Sequence, residues 1–453
     1  MPEVITVETP GLGDRSYLAH DGAAGVVIDP QRDIGRMLSA AARAGVRITH
    51  VLETHIHNDY VTGGYALAQA AGAAYGIAAL DEVCFERLPV SEGGVLRTGN
   101  LTVTPVHTPG HTPGHMAYVL AERGAPPAAV FTGGSLLYGA VGRTDLISPQ
   151  QTEQLTHAQY RSARRLAGEL PDQVAVYPTH GFGSFCSATP ASGDWSTIGR
   201  ERRVNVALTS DEETFVRQLI AGLGAYPRYY AHMAHANRSG PAIPDLTPPA
   251  RADARDIRRR IDAGEWVVDL RRRRAFARRH VTGTISVELG DQFCTYLGWA
   301  VPWDTPLTLL GDRPDQVAEA QLQLSRIGID HLAASGLGPI GELAAGQTAR
   351  YAVTDFAGLA RAWGREDMVV LDVRAPEEWR AGRLAPAVHV PFWEVEQRAG
   401  EVPDGVVWVY CRSGMRASVA ASILQRAGRR VVQVDDDWAH AADAGLPVTS
   451  DAG

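Results

Sequence analysis

Residues 53–60 read Glu-Thr-His-Ile-His-Asn-Asp-Tyr and follow at once on an apolar run, Ile48-Thr-His-Val-Leu52. In extended backbone alternate side chains point the same way, so His55, His57 and Asp59 can converge on one ion. Imidazole and carboxylate together suit zinc or iron. A lone histidine at a strand end reads as polar surface, but three ligand types at a spacing of two read as a metal site.

Working outward, Gly25-Val-Val-Ile-Asp29 reads as a strand, and 36–44 and 64–71 read as helices. Further strands are expected at 101–106, 117–120 and 129–131. Two more histidine loops follow apolar runs in this series. One is His107-Thr-Pro-Gly-His-Thr-Pro-Gly-His115, the other Pro178-Thr-His-Gly-Phe-Gly-Ser184. The prolines and glycines of the first make tight turns that can hold a histidine rigidly. The pattern is an α/β layer with polar, histidine-rich loops at strand ends.

A strand followed by T-H-x-H-x-D, then a T-P-G-H-T loop, then a late P-T-H-G loop resembles the metallo-β-lactamase fold. Val130-Phe-Thr-Gly-Gly-Ser-Leu-Leu137 and Gly142-Arg-Thr-Asp145 resemble its persulfide dioxygenase branch. Ser196-Thr-Ile-Gly-Arg-Glu201 and Tyr226-Pro-Arg-Tyr-Tyr230 with Asn237 are similar to members fused to rhodanese domains. The resemblance covers the first half of the chain. It implies an αββα sandwich with metal ligands at His55, His57, Asp59, His111 and His180. His107 and His115 then become supporting residues, and Arg143 a residue that steers an anionic substrate. Two positions depart from the family pattern. The family motif ends D-H, but Tyr60 follows Asp59; the family has Asp after Phe-Thr-Gly, but this chain has Gly134. Both changes weigh against a two-metal hydrolase. A persulfide dioxygenase needs one iron held by two histidines and a carboxylate, with open positions for oxygen and substrate. His55 and His111 remain for that role, and the carboxylate has to come from Asp59, or His57 has to fill in. The alternative is a site that has lost its metal.

The second chemical signal lies late in the chain. Gly405-Val-Val-Trp-Val-Tyr410 reads as a strand, 417–427 as a helix, and Cys411-Arg-Ser-Gly-Met-Arg416 joins them. A cysteine at such a turn faces backbone N–H groups and the positive end of a helix. With Arg412 and Arg416 nearby, that setting favours a thiolate nucleophile. The loop resembles the rhodanese active loop, as do Leu371-Asp-Val-Arg374 and Trp379. Related protein phosphatases use C-x5-R; the shorter C-x4-R loop here is the sulfurtransferase size. The resemblance implies a persulfide on Cys411, held by Arg412, Arg416 and the loop residues Ser413 and Gly414. Asp435-Asp-Asp-Trp438 departs from the Gly-Gly that commonly precedes this aromatic residue.

Pro/Gly-rich breaks at 239–249 and 336–341 punctuate the chain. They suggest a metallo-β-lactamase-like domain over 1–243, a rhodanese-like domain over 250–340 and a second over 350–453. The two smaller parts resemble each other: Trp266-Val-Val-Asp-Leu-Arg271 parallels Met368-Val-Val-Leu-Asp-Val-Arg374. The first repeat is expected to be inactive, because Gly311-Asp-Arg-Pro314 follows its strand with no cysteine. Its Arg258–Arg260 and Arg271–Arg274 runs can bind an anion or an acidic partner face, with a solvated face as the default reading. Cys186, six residues after His180, reads either as a neighbour of the metal pocket or as a small buried thiol, the latter being the default.

At 453 residues the chain suggests about three domains. Forty-three basic against 51 acidic residues, a net charge of −8, argue against a nucleic-acid partner. Four scattered cysteines exclude a disulfide scaffold. The Met-Pro-Glu-Val start lacks signal-peptide character, and the uncharged stretch 61–80 is too weakly apolar to suggest a membrane partner. A cytoplasmic α/β enzyme of sulfane-sulfur metabolism is expected: a metallo-β-lactamase αββα sandwich followed by two rhodanese-like α/β domains with parallel sheets. The resemblance implies that Cys411 takes sulfur from thiosulfate or a small persulfide and passes it to glutathione or another thiol. It implies that the first domain oxidises a thiol persulfide to sulfite with one iron (Fe2+) per chain, zinc being the alternative metal. Rival readings are a sulfurtransferase with a metal-free scaffold domain, a zinc thioester hydrolase, and a non-enzymatic persulfide carrier. The oligomeric state stays open, a homo-oligomer included.

Overall fold

The structure, a computed structural model, describes residues 2–187 and 193–450. It divides into two compact units, Met1–Asp245 with Ser325–Gly328, and Leu246–Leu324 with Ile329–Gly453.

In the first unit, β1 (Glu3–Thr9), β2 (Asp14–His20), β3 (Ala24–Ile28), β4 (Arg47–Leu52), β5 (Ala74–Ala78) and β6 (Leu88–Val90) form one sheet in chain order. It is antiparallel up to β3 and parallel from β3 onward. A second sheet runs β12 (Ser196–Thr197), β11 (Ala175–Pro178), β10 (Ala129–Gly133), β9 (Met116–Glu122), β8 (Leu101–His107), β7 (Leu96–Thr98). Within it only β10 and β11 pair in parallel.

The period of two explains the layering. Tyr17, Ala19, Val26, Ile28 and Leu52 join Tyr118, Leu120 and Phe131 in one buried cluster between the sheets. The intervening Leu18, Val27 and Val51 pack with Met37 and Leu67 of helices α1 (Gly35–Ala44) and α2 (Gly64–Ala71). On the other sheet, Val119 and Val130 pack with Ala163 and Leu166 of α3 (Thr152–Glu169). The order helix, sheet, sheet, helix is the expected αββα sandwich. Its loops after β3, β4, β8, β10 and β11 carry the chemistry, as loops on a rigid scaffold commonly do.

The second unit holds two wholly parallel sheets. One orders Ile285–Ser286, Trp266–Asp269, Leu307–Gly311 and Leu332–Leu337. The other orders Ala352–Thr354, Arg430–Val434, Val406–Tyr410, Met368–Asp372 and Val388–His389. Central strands such as Val406–Tyr410 are nearly continuous apolar runs, as parallel sheets covered on both faces require. Each sheet has its own core, around Ile257, Val267 and Leu310 in one and Phe356, Trp408 and Tyr410 in the other. Among the described residues no helix is long and apolar enough to cross a membrane.

Candidate functional site

His55, His57, Asp59, His111 and His180 are brought together in the first unit, each at most 1% exposed. The loop after β4 supplies three of them, the β8–β9 loop His111, and the loop after β11 His180. The His55 ring centroid lies 4.1 Å from that of His57, 4.7 Å from His111 and 5.3 Å from His180.

One nitrogen of each ring is taken by the protein. His55 Nδ1 meets Thr54 Oγ1 at 2.8 Å, and that hydroxyl donates to Asp29 Oδ2. His57 Nε2 meets Glu53 at 3.1 Å and Asp29 at 3.2 Å. His111 Nδ1 donates to the Arg143 carbonyl at 2.6 Å. His180 Nδ1 lies 2.9 Å from Asp14 and 3.0 Å from Asp59. The other atoms face inward. His57 Nδ1, His111 Nε2 and Asp59 Oδ1 are buried without a hydrogen-bond partner. His180 Nε2 and His55 Nε2 face each other at 3.3 Å. Buried polar atoms without partners are costly, and outer partners that leave one ring nitrogen free are how metal-binding histidines are set. These residues fit a bound metal ion. Ligand atoms of His55, His57 and His180 lie within 4.8 Å of one another, as do those of Asp14, Asp59 and His180.

Without an ion, the cage balances its own charge. Burial penalises a charged His57, yet Asp29 and Glu53 overcome it and lift its pKa to about 10. Burial likewise opposes an ionised Asp29, but His57 and hydroxyl partners hold it down at about 2. Burial raises Glu53 to about 7. Burial, then its neighbours, depresses the basicity of His55 and His111 and leaves them neutral donors. Asp14, Asp29, Glu53 and Asp59 are thus four carboxyl groups buried around one cage. Without an ion they are answered by protonated His57 and by His180, which Asp59 and Asp14 lift to about 9 against burial, and a bound metal would take the place of protons on those rings.

The two departures from the family pattern have physical consequences here. Tyr60 stacks on His57 with centroids 4.4 Å apart and places its hydroxyl 3.0 Å from Nε2. Gly134 donates its N–H to His115 Nε2 at 3.0 Å, and a Cβ there would lie 2.4 Å from His111 Cδ2. The space of a side chain at 134 is therefore filled by His111, and His115 stacks on His55 with centroids 5.0 Å apart. Arg143 does not face outward as steering requires. It is buried, pairs with Asp145, donates to the Phe185 and Gly224 carbonyls, and braces His111 through its own carbonyl. Cys186 is buried, and burial pushes its thiol pKa up. Its sulfur lies within 4.8 Å of ligand atoms of His111 and His180.

In the second unit Cys411 directly follows the strand Val406–Tyr410, and helix Met415–Arg426 starts four residues later. The thiol is 1% exposed and accepts the Gly414 N–H at 3.1 Å. Gly414 has φ +88°, which glycine adopts without strain. Arg416 is held by Glu378, one contact being 2.8 Å. Burial works against its charge, but Glu378 and Cys411 outweigh that and raise its pKa. Arg412 and Ser413 are exposed. A cleft of about 360 Å3 lies beside the loop, lined by Arg374, Glu378, Arg412 and Trp438 among others.

Asp14, Asp29, Glu53 and Glu378 are functional neighbours that sequence reasoning missed. Asp29 closes a strand and Glu53 opens the histidine loop, so position offered a signal for those two. Asp14 and Glu378 act across the fold and carry no local mark.

Comparison with known proteins bears on both units. The metallo-β-lactamase superfamily model matches residues 11–180, and the rhodanese-like domain model matches residues 357–441. The chain is 34% identical over 186 residues to hydroxyacylglutathione hydrolase of Cereibacter sphaeroides, covering 39% of this chain and 66% of that protein. It is 28% identical over 207 residues to mitochondrial persulfide dioxygenase ETHE1 of Homo sapiens, covering 46% of this chain and 73% of the relative. A crystal structure of a metallo-β-lactamase from Staphylococcus aureus superposes with a TM-score of 0.67 at 27% identity, covering 75% of this chain and 99% of that one. The chain joins a region that matches the metallo-β-lactamase superfamily to one that matches the rhodanese-like domain, and the relatives of its first region include a persulfide dioxygenase.

Proposed function

We propose that the chain is an enzyme of sulfane-sulfur metabolism with two chemistries, sulfur transfer at Cys411 and oxidation of a thiol persulfide in the first unit. The observation that carries the second is the set of inward-facing, unpartnered atoms on His57, His111 and Asp59. His55, His57, Asp59, His111 and His180 would hold one metal, with Asp59 standing in for the carboxylate absent at Gly134. A single iron would supply activation of dioxygen beside the persulfide; overall, persulfide, dioxygen and water give thiol, sulfite and two protons. Asp29 and Glu53 keep the Nε2 proton of His57, and the Arg143 carbonyl keeps the Nδ1 proton of His111, so each ring presents its other nitrogen. The absence of a carboxylate at 134 weighs against a two-metal thioester hydrolase as the activity of this unit.

At the loop, the Cys411 thiolate attacks the outer sulfur of thiosulfate. A sulfur–sulfur bond forms to Cys411, the old one breaks, and sulfite leaves with the electron pair. A thiol such as glutathione then takes the outer sulfur as its persulfide and returns Cys411 to the thiolate. The Gly414 N–H holds the Cys411 sulfur, and Arg412 offers charge to the anionic donor.

The two chemistries separate by mutation. Cys411→Ser is expected to lower sulfur transfer from thiosulfate to cyanide by at least about 10³-fold, while oxygen uptake on added glutathione persulfide persists. His111→Ala is expected to do the reverse. Loss of both activities in either variant contradicts the assignment.

A further inference from the structure

The first rhodanese-like repeat carries no cysteine in its own loop, and its arginine runs suggested a solvated face. In the structure Arg273 is partly buried and Arg274 exposed, and both meet an acidic partner. Both sit on the short helix Arg273–Arg278 and grip one carboxylate, Asp435, from its two oxygens. Arg273 Nε lies 2.6 Å from Oδ1, Arg274 Nε pairs with Oδ2, and Arg273 also pairs with Glu288 at 2.8 Å.

Asp435 is the residue that departs from the usual glycine-rich approach to the aromatic. Its carboxylate lies against the active loop: a Cβ on Gly414 would meet Asp435 Oδ1 at 2.2 Å. Gly414 is the residue whose N–H holds the Cys411 sulfur. Neighbouring bonds fix the same loop, with Trp438 N–H donating to the Arg412 carbonyl at 2.7 Å and Gln433 Nε2 to the Gly414 carbonyl at 3.1 Å. The first repeat also follows helix Met415–Arg426 away from the loop. Ser286 bonds Ser418 at 2.8 Å and Ser422 at 3.0 Å, and His280 bonds Gln425 at 2.8 Å.

A bare carboxylate there would oppose two anions, the Cys411 thiolate and the incoming donor. A buried or half-buried charge without a partner also acts at greater strength than one in water. We propose that the first repeat is the charge partner of the catalytic loop: Arg273 and Arg274 are positioning residues that neutralise Asp435, so that Cys411 ionises and accepts an anionic sulfur donor. This rests on the reading of Cys411 as the sulfur-accepting nucleophile. Other charged or titratable groups around the loop include Arg374, Glu378, Arg412, Arg416 and Asp437 of the second repeat and Tyr296 of the first, which lies in the electrostatic reach of Cys411 and Arg416.

The test uses the full chain. Alkylation of Cys411 by neutral iodoacetamide and anionic iodoacetate is followed from pH 5 to 9, with the labelled peptide identified by mass spectrometry. In R273Q/R274Q the midpoint of the iodoacetamide profile is expected to rise by about one unit, and the iodoacetate rate at pH 7 to fall about tenfold. Adding D435N to that pair is expected to restore both to within about twofold, because the charge that needed an answer is gone. D435N alone is expected to keep or raise the iodoacetate rate, and it decides the matter if the double variant fails to fold. An unchanged profile in R273Q/R274Q, a loss that D435N does not restore, or a tenfold loss in D435N alone overturns the proposal. Thiosulfate turnover is measured in parallel on the unaltered chain. Its absence there would sink the sulfurtransferase reading, and the alkylation arms would still judge the charge partnership.

Discussion

Asp29 shows how much one buried side chain can hold. It accepts from the Thr54 N–H at 2.7 Å, from the hydroxyls of Thr54 and Thr179, and it faces the cationic His57. Removing its charge leaves His57 short of a counter-ion in a dry setting. Asp29→Asn is expected to cost about 3 to 5 kcal/mol, read by denaturant unfolding. A loss below about 1 kcal/mol would mean that Glu53 alone satisfies His57. Gly134 makes a second residue-scale case. Restoring a side chain there pushes on the His111 ring, so Gly134→Ala is expected to destabilise by about 1 to 3 kcal/mol and to lower bound metal rather than raise it. Metal content by elemental analysis checks the second part; a variant that binds more metal would show that His111 has room to move.

At the scale of elements, both chemical centres sit where a strand gives way to a loop, and this is why so much of them could be read from sequence. The spacing of two reads as extended backbone at His55, His57 and Asp59; in the structure the strand ends at Leu52 and a bent loop, not strand alternation, carries all three to the site. Cys411 lies between an apolar run and a helix, and the loop length follows by counting. What sequence could not give is contact across the fold. Arg143 looked like an exposed anion guide because Gly142-Arg-Thr-Asp145 is polar, whereas its guanidinium is spent on Asp145 and two carbonyls from distant loops. For Arg273 and Arg274 sequence could not name the acidic partner, because Asp435 is more than 160 residues away. Glu378, on helix Pro376–Ala381, likewise holds Arg416 from outside the active loop. Glu378→Gln is expected to lower stability by about 1 to 3 kcal/mol, since it leaves a largely buried guanidinium with a weaker partner. Thermal unfolding checks this, and an unshifted transition would show that solvent replaces the carboxylate at no cost.

At the scale of the first unit, a pH dependence follows from Asp81. Burial raises its pKa from 3.8 to about 6, against the pull of Arg238, Arg87 and His107. The unfolded chain gives up this proton near pH 4 and the folded chain near pH 6, so between those values the folded state binds more protons. Stability from this group therefore falls as pH rises from about 4 to about 6 and stays lowered above that. With some solvent access discounted, Asp81→Asn is expected to gain about 1 to 2 kcal/mol at pH 7.5 and nothing at pH 3.5. A gain of equal size at both values would tie the effect to packing instead of ionisation.

The whole molecule stands or falls on the cage of the first unit. The most direct measurement is metal content of the full chain purified without oxygen, with oxygen uptake on glutathione persulfide followed in the same sample. About one iron per chain is expected, with uptake that needs the persulfide and disappears in His111→Ala. A chain that binds no metal and takes up no oxygen even after iron is added, while Cys411 still transfers sulfur, would contradict the oxidation chemistry and leave the first unit a scaffold.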